Sequence, residues 1–229
     1  MARPQDDGGP QAPPRLVVPA YFHPGVHPSD WEWLAEHAER VRLVILNVHN
    51  GPGPGPEALF KEVTERLRAA GVPVIGYVDT NYGSRPAAQI MTEFSRYLDW
   101  YEVTGICLDR AASEASSLAY YGALSARVRK MGAQVIFFNH GTHPDGGYAK
   151  HADLLGTFEG SWPAYLRLKV PRWTAGWPDE KFYHVVYSVP AERFGEAARL
   201  AAQRHAASVY VTERGGGNPY DRLPIDSRD

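Results

Sequence analysis

The chain has 229 residues and 44% of them are hydrophobic, which is enough to build one sizeable core. Its 24 basic and 26 acidic residues give a formal charge of -2, and no basic run is present, which argues against nucleic acid as the main partner. No apolar stretch approaches the roughly 18 residues of a membrane-spanning helix, and a single cysteine, Cys107, excludes an intramolecular disulfide.

Residues 1–14 are rich in proline, glycine and glutamine, and this composition predicts a disordered tail ahead of one folded domain over residues 15–229. The tail lacks the apolar core of a secretory signal, so the chain as written is expected in the cytoplasm. A protein whose leader had been removed would have the same sequence and would be secreted. A monomer is expected.

Apolar strand-like segments alternate with helix-like ones in the first half of the chain. Strands are predicted at residues 16–21, 41–48, 72–78 and 104–108. Ser29 and Glu32 have the spacing of a capping box, which predicts a helix from there to about Arg40. Two further helices are predicted, one opened by Pro56 and stopped by Gly71, the other running from Pro86 to Tyr101.

The second half continues the pattern with strands predicted at residues 134–138, 153–158, 182–189 and 208–211. Helices are predicted over residues 118–132 and 190–201, and an irregular, tryptophan-rich segment runs to Trp177. Eight short strands alternating with helices indicate parallel strands joined by crossovers. The fold class predicted is therefore α/β, a single (β/α)8 TIM-type barrel, with a doubly wound open sheet as the alternative.

Polar and aromatic residues collect just after the predicted strands, on the side where barrel enzymes place their active sites. Asp109 and Glu159 each follow an apolar run and are the candidate catalytic pair. The candidate substrate contacts at the same strand ends are Tyr21, His23, Asn47, His49, Asp79, Tyr82, Arg85, Arg110, Asn139, Trp162, Tyr187 and Glu213. The opposite strand ends carry nothing comparable, and this asymmetry predicts a site.

This mixture of residues is typical of carbohydrate chemistry. A glycosidase needs one protonated acid for the leaving oxygen and one ionised carboxylate as nucleophile or base, together with aromatic faces for the sugar. Arg110 is expected to hold one carboxylate ionised, and apolar surroundings are expected to raise the pKa of the other. Structural roles remain open for four of the candidates, which could equally organise loops: Asn47, Asp79, Arg85 and Glu213.

Neither a metal nor a cofactor is predicted. His23 and His27 flank a proline and a glycine, so no helix presents them together, and no H-E-x-x-H or clustered Cys/His pattern occurs. Residues 51–56 alternate glycine with proline, and because proline lacks an amide donor this loop is a poor phosphate cradle.

Six segments combine into a recognisable set: LVILNVHNGPGPGP at 43–56, VIGYVDTNYGSRP at 74–86, GICLD at 105–109, FFNHGT at 137–142, TFEGS at 157–161 and NPYDRLP at 218–224. Together they resemble the spherulin-4 family of (β/α)8 proteins, over roughly residues 16–224. The resemblance implies a glycoside hydrolase of family 135, whose characterised members cleave α-1,4-linked, N-acetylgalactosamine-containing exopolysaccharide; related barrels cut biofilm polymers.

The resemblance also implies the chemistry. It implies Asp109 as nucleophile or charge stabiliser and Glu159 as general acid/base. The expected activity is that of a retaining, endo-α-1,4-N-acetylgalactosaminidase-like hydrolase acting on a polysaccharide or oligosaccharide partner, without cofactor.

Two departures from the family pattern keep other function classes open. Arg110 stands where family members usually have a second acid, and His140 stands where proline is usual. The main alternative is a catalytically weak or inactive carbohydrate-binding barrel. A third hypothesis is a non-glycosidic hydrolase, such as a metal-dependent amidase or deacetylase.

Overall fold

The computed structural model describes residues 15–224, and the predicted tail at residues 1–14 lies outside the described residues. Eight parallel strands form one sheet in which each strand pairs with the next along the chain. They are β1 (Leu16–Ala20), β2 (Val41–Leu46), β3 (Val74–Asp79), β4 (Gly105–Asp109), β5 (Val135–Asn139), β6 (Leu154–Ser161), β7 (Phe182–Tyr187) and β8 (Ser208–Val211). Because β1 also lies beside β8, the sheet curves into a nearly closed barrel, which confirms the predicted fold class.

Three strands extend one residue further than predicted, and each of those last residues is polar. Asp79, Asp109 and Asn139 end β3, β4 and β5, and Asp79 is the direct partner of Asp109 in the ladder. Main-chain pairing with a parallel neighbour does not depend on side-chain polarity, so the ladder continues beyond the apolar run. These side chains are therefore oriented by the sheet and not by loops.

Helices cover the outside of the barrel between most strands. They are α1 (Pro28–Glu36), α2 (Ala58–Ala69), α3 (Ala87–Tyr101), α4 (Leu118–Lys130), α5 (Trp162–Leu166) and α6 (Phe194–Gln203). The β5–β6 connection contains a short 3-10 helix, Gly146–Lys150, where the sequence also predicted no α-helix. Among residues 15–224, no helix combines the length and apolar character needed to cross a bilayer.

The predicted capping box at the start of α1 is not formed. The helix begins at Pro28, one residue before Ser29, and no side chain caps its first turn. Proline at the first helical position already has a helical φ, and its missing N–H is one of the groups that would have no partner within the helix.

Helix α3 packs closely against β3 at a glycine. Tyr97 is fully buried there, and its hydroxyl donates a hydrogen bond of 3.0 Å to the carbonyl of Leu46 in β2. A Cβ at Gly76 would lie 2.5 Å from the Tyr97 ring, so the helix reaches the sheet only because residue 76 has no side chain.

We therefore expect Gly76→Ala to destabilise the barrel by about 1–3 kcal/mol, the usual cost of overpacking a close-packed interior. Thermal or denaturant unfolding checks this. Gly176→Ala is the matched control, because a Cβ there meets nothing within 4 Å and should leave the midpoint nearly unchanged. Equal midpoints for the two variants would contradict the packing described.

Candidate active site

Two carboxylates meet at the carboxyl end of the barrel and are joined by one amide. The Nδ2 of Asn139 donates hydrogen bonds of 2.8 Å to Oδ1 of Asp109 and of 2.8 Å to Oε2 of Glu159. Since both N–H groups are bound to acceptors, the orientation of the amide is fixed. The two acceptor oxygens are each 2.8 Å from the same nitrogen, so they lie at most twice that distance, about 5.6 Å, apart.

Each carboxylate receives a second hydrogen bond from a tyrosine. Tyr77 Oη donates to Oδ2 of Asp109 over 2.9 Å, and Tyr220 Oη donates to Oε1 of Glu159 over 2.5 Å. Burial, followed by the charge of the neighbouring carboxylate, raises the pKa of both tyrosines above the usual range, which keeps both hydroxyls protonated. All four oxygens of the pair thus accept a hydrogen bond from the protein.

Glu159 faces the interior because β6 contains one extra residue. Tyr183 and Val185 both point into the barrel, and their ladder partners in β6 are Gly156 and Glu159. Residues three apart on a regular strand face opposite sides of the sheet. The register shift between Gly156 and Phe158 removes this conflict, so the bulge turns Glu159 inward.

Gly156 makes room for the bridging amide. Gly156 lies directly opposite Asn139 in the β5–β6 ladder, and a Cβ at Gly156 would lie 2.2 Å from Oδ1 of Asn139. That oxygen is buried without a hydrogen-bond partner among the described residues. The Asn139 side chain is therefore held between the two carboxylates and the main chain of Gly156.

The pKa of Asp109 is raised above its ordinary value. Burial is the largest cause and the negative charge of Glu159 is the second, while hydrogen bonds from Asn139, Tyr77 and the Arg110 backbone lower it in part. The guanidinium of Arg110 instead pairs with Asp79, its Nε lying 3.2 Å from Oδ1. The sequence predicted that Arg110 would keep one carboxylate of the catalytic pair ionised. In the structure its guanidinium forms an ion pair with Asp79, which is not a member of that pair.

The pair lies between an open cleft and a small interior cavity. The cleft has a volume of about 360 Å³, within the range of small-molecule sites. It is lined by Tyr82, Asp109, Arg110, Asn139, His140, Gly141, Glu159 and Tyr187. The cavity beneath has about 60 Å³, and Tyr21 lines it together with both carboxylates.

Several of the predicted contacts brace loops near the cleft. Asn47 Oδ1 accepts a hydrogen bond of 3.0 Å from the Gly51 amide, and Arg85 donates one of 2.6 Å to the carbonyl of Asp79. The Asp79 carboxylate also accepts from the backbone amide of Asn81 over 2.6 Å. These are the structural roles that the sequence left open for Asn47, Asp79 and Arg85.

Other candidates lie outside both the cleft and the cavity. His23 and His49 both contact the carboxylate of Glu57. Glu213 pairs with Arg214 at 3.3 Å. Trp162, expected to contact substrate, is only 8% exposed and packs near Tyr165 in the core.

His23 makes polar contacts through both ring nitrogens. Nδ1 of His23 accepts a hydrogen bond of 3.0 Å from the Gly25 amide, which places the proton of the neutral ring on Nε2, the nitrogen nearest Glu57. Within residues 15–224, no cluster of three or more histidine, cysteine, aspartate or glutamate side chains has the geometry to hold a metal ion.

Sequence reasoning missed the groups that position the pair. Tyr77 could have been found, because it lies two residues before Asp79 on the same face of a predicted strand. Tyr220 lies within the NPYDRLP segment, but nothing local indicates that this loop returns to Glu159. Gly156 and its bulge carry no pattern that distinguishes them from an ordinary strand glycine.

A parallel eight-stranded barrel with two acids sharing one amide at its carboxyl end defines the chain as an α/β-barrel protein with a paired-carboxylate site. The sequence model described as "Spherulation-specific family 4" (Spherulin4) matches residues 15–227. The chain therefore belongs to the spherulin-4 family.

Two individual proteins are similar to the chain, one in sequence and one in fold. Spherulin-4 of Physarum polycephalum is 34% identical over 152 residues, which are 64% of this chain and 45% of that protein, so the match spans less than half of this curated relative. Sph3 of Aspergillus clavatus, solved in complex with GalNAc, superposes with a TM-score of 0.80 at 22% identity over 95% of this chain and 96% of its own.

The same barrel also occurs in proteins of other chemistry. Deoxyribose phosphate aldolase from Aeropyrum pernix matches with a TM-score of 0.52 at 16% identity, over 86% of this chain and 85% of its own. Likeness at this level establishes the fold alone, so function has to be argued from the site.

We expect Tyr77→Phe to raise the pKa of Asp109 further, because it removes a hydrogen bond that favours the ionised carboxylate. The carboxylate would then become charged only at higher pH. Carbon-13 NMR titration of the aspartate side chains, with Asp109→Asn to assign the signal, measures the change. Tyr97→Phe is the control, since its hydroxyl binds a main-chain carbonyl; a downward or absent shift in Tyr77→Phe would refute the contact.

Proposed function

We propose that the chain is an endo-acting glycoside hydrolase that cleaves α-1,4-linked polysaccharide containing galactosamine and N-acetylgalactosamine. The observation that carries the proposal is the pair of hydrogen-bonded carboxylates, Asp109 and Glu159, at the floor of an open cleft. Membership of the spherulin-4 family supports it, and the GalNAc bound to Sph3 supports an amino sugar as the substrate unit.

In this proposal Asp109 is the nucleophile or charge stabiliser and Glu159 the general acid/base. Glu159 gives its proton to the leaving glycosidic oxygen as the Asp109 carboxylate bonds to the anomeric carbon, and then accepts a proton from the water that releases the sugar. Hydrogen bonds from Tyr77 and Asn139 stabilise the ionised form of Asp109, which burial alone would disfavour.

The distance between the acids supports retention of configuration. The Asn139 bridge limits the two bonded oxygens to about 5.6 Å. Retaining glycosidases separate their carboxyl groups by about 5–5.5 Å, whereas inverting enzymes need about 6.5–9.5 Å to admit a water.

The second candidate function is a barrel that binds carbohydrate without cutting it. It is favoured by Arg110, whose cationic side chain lines the cleft directly after the candidate nucleophile. A static binding site would also use the fixed hydrogen-bonding pattern of the two carboxylates. The two functions differ in whether reducing ends appear.

We expect the wild-type protein to release reducing ends from partially deacetylated α-1,4-galactosamine/N-acetylgalactosamine polymer. Asp109→Asn and Glu159→Gln should each lower the rate by about 10²–10⁴-fold, the usual contribution of a positioned acid or base. Binding of the polymer should survive in both variants.

The matched controls are Asp99→Asn and Glu196→Gln, the same isosteric changes on helices α3 and α6, away from the cleft. Both should keep wild-type rates. Polymer binding by a folded wild type without any release of reducing ends would replace the hydrolase with the binding function. Neither binding nor cleavage would show that the sugar is wrong.

Retention makes a separate prediction. Proton NMR of the first products should show the α-anomer before mutarotation mixes the two forms, because two displacements at the anomeric carbon restore its configuration. Initial accumulation of the β-anomer would indicate inversion and would contradict the roles given to the acid pair.

A further inference from the structure

We propose that Arg110 selects the substituent on the bound sugar. It accepts a residue with an oxygen acceptor, either an acetamido carbonyl or a carboxylate, and disfavours one with a free ammonium group. The inference rests on the proposed function and deepens it, since it specifies which units of a polymer occupy this part of the cleft.

Arg110 is the cationic side chain of the cleft. Among the described residues that line it, the other charged groups are the carboxylates of Asp109 and Glu159. The Arg110 side chain is 44% exposed, whereas its partner Asp79 is 19% exposed and does not line the cleft. A ligand in this region therefore meets the guanidinium and not the acid that pairs with it.

Three contacts hold the guanidinium in place. Nε lies 3.2 Å from Oδ1 of Asp79, Nη2 donates to Oδ1 of Asn81, and the group lies 5.2 Å from the ring centre of Tyr82. Nη1 has no hydrogen-bond partner among the residues that the structure describes. The arginine is thus fixed on one side and keeps N–H donors for a ligand, as preorganised recognition requires.

The main chain here adopts a conformation that non-glycine residues rarely take. Asn81, Tyr82 and Arg110 have φ of 45°, 55° and 47°. The Tyr82 amide donates to the Arg110 carbonyl over 2.7 Å, and Thr80 Oγ1 contacts the same carbonyl at 2.9 Å. Backbone strain of this kind persists where surrounding contacts enforce it, and here it presents Tyr82 and Arg110 side by side at the cleft.

Electrostatics then determines the preference. A hydrogen bond from a guanidinium to an acceptor oxygen is charge-assisted, whereas an ammonium at the same place is repelled and has no acceptor. The carboxylates of Asp109 and Glu159, which line the same cleft, attract an ammonium group instead. The preference therefore concerns only the sugar unit that contacts Arg110. It predicts that a fully deacetylated chain binds less favourably at this position, because it places an ammonium group beside the guanidinium.

The test uses three α-1,4-linked galacto-oligosaccharides of equal length, built from N-acetylgalactosamine, galactosamine or galacturonic acid. Calorimetry at neutral pH gives the dissociation constant of each. We expect wild type to bind the acetylated or the acidic oligomer at least tenfold more tightly than the galactosamine oligomer. Which of the two binds more tightly identifies the acceptor as amide carbonyl or carboxylate.

Arg110→Gln should abolish this preference and Arg110→Glu should reverse it towards galactosamine. Arg68→Glu is the matched control, because Arg68 is 41% exposed, is also paired with an acid, Glu102, and lies on α2. It should bind like wild type. Unfolding midpoints establish whether each variant is folded. If Arg110→Glu does not fold, Arg110→Gln alone tests the proposal.

The inference is overturned if wild type binds galactosamine best, binds none of the three, or keeps its ranking in both Arg110 variants. Reducing-end release, measured on the same oligomers, separates this result from the proposed hydrolysis. If the oligomers are cleaved but substitution of Arg110 does not change their order of affinity, the proposed hydrolysis is supported and the role of Arg110 in substituent selection is refuted. If the order of affinity changes with Arg110 but no cleavage occurs, the role of Arg110 is supported and the protein binds carbohydrate without hydrolysing it.

Discussion

The arrangement at the mouth of the barrel depends on the side-chain amide of Asn139. One nitrogen binds two carboxylates and so ties the ends of β4, β5 and β6 together at fixed distances. The bridge has two structural requirements: residue 156 must lack a side chain, and β6 must contain an extra residue that turns Glu159 inward. A site built on strand ends in this way is positioned by the ladder itself, which holds geometry more tightly than a loop does.

The same bridge also contributes to the pKa of Asp109. Two acids this close cannot both ionise easily in a partly buried place, and burial together with Glu159 raises the pKa of Asp109. Hydrogen bonds from Asn139, Tyr77 and the Arg110 backbone oppose that effect, because they stabilise negative charge on Asp109. The pKa of Asp109 is therefore set by two opposing effects, burial beside another carboxylate and the hydrogen bonds that its oxygens accept.

The sequence predicted the barrel because buried parallel strands are short apolar runs whose ends are marked by polar residues and glycines. Asp109 and Glu159 could be chosen as candidate site residues from the sequence, because each follows such an apolar run. The inward orientation of Glu159 could not be predicted, since strict alternation from Gly156 points it outward and the bulge leaves no local signal. Trp162 shows the opposite error: an aromatic residue directly after a strand resembles a sugar platform, yet at the start of α5 its large apolar surface is buried in the core.

Counting the polar residues at strand ends overestimates the number of residues in the site. Some of these residues hydrogen bond to the loops, and only the others converge in the cleft. The loops that leave the barrel carry main-chain groups that need partners, and Asn47 and Arg85 supply them, bonding to Gly51 and to Asp79. Asp109, Asn139 and Glu159 instead direct their hydrogen bonds mainly to one another and to two tyrosines. Polar groups that converge on each other at the floor of a cleft gain less for the fold than loop braces do, because they keep like charges close together. That cost is the physical reason for proposing these residues as the functional site, since the barrel fold itself also occurs in an aldolase and does not identify the function.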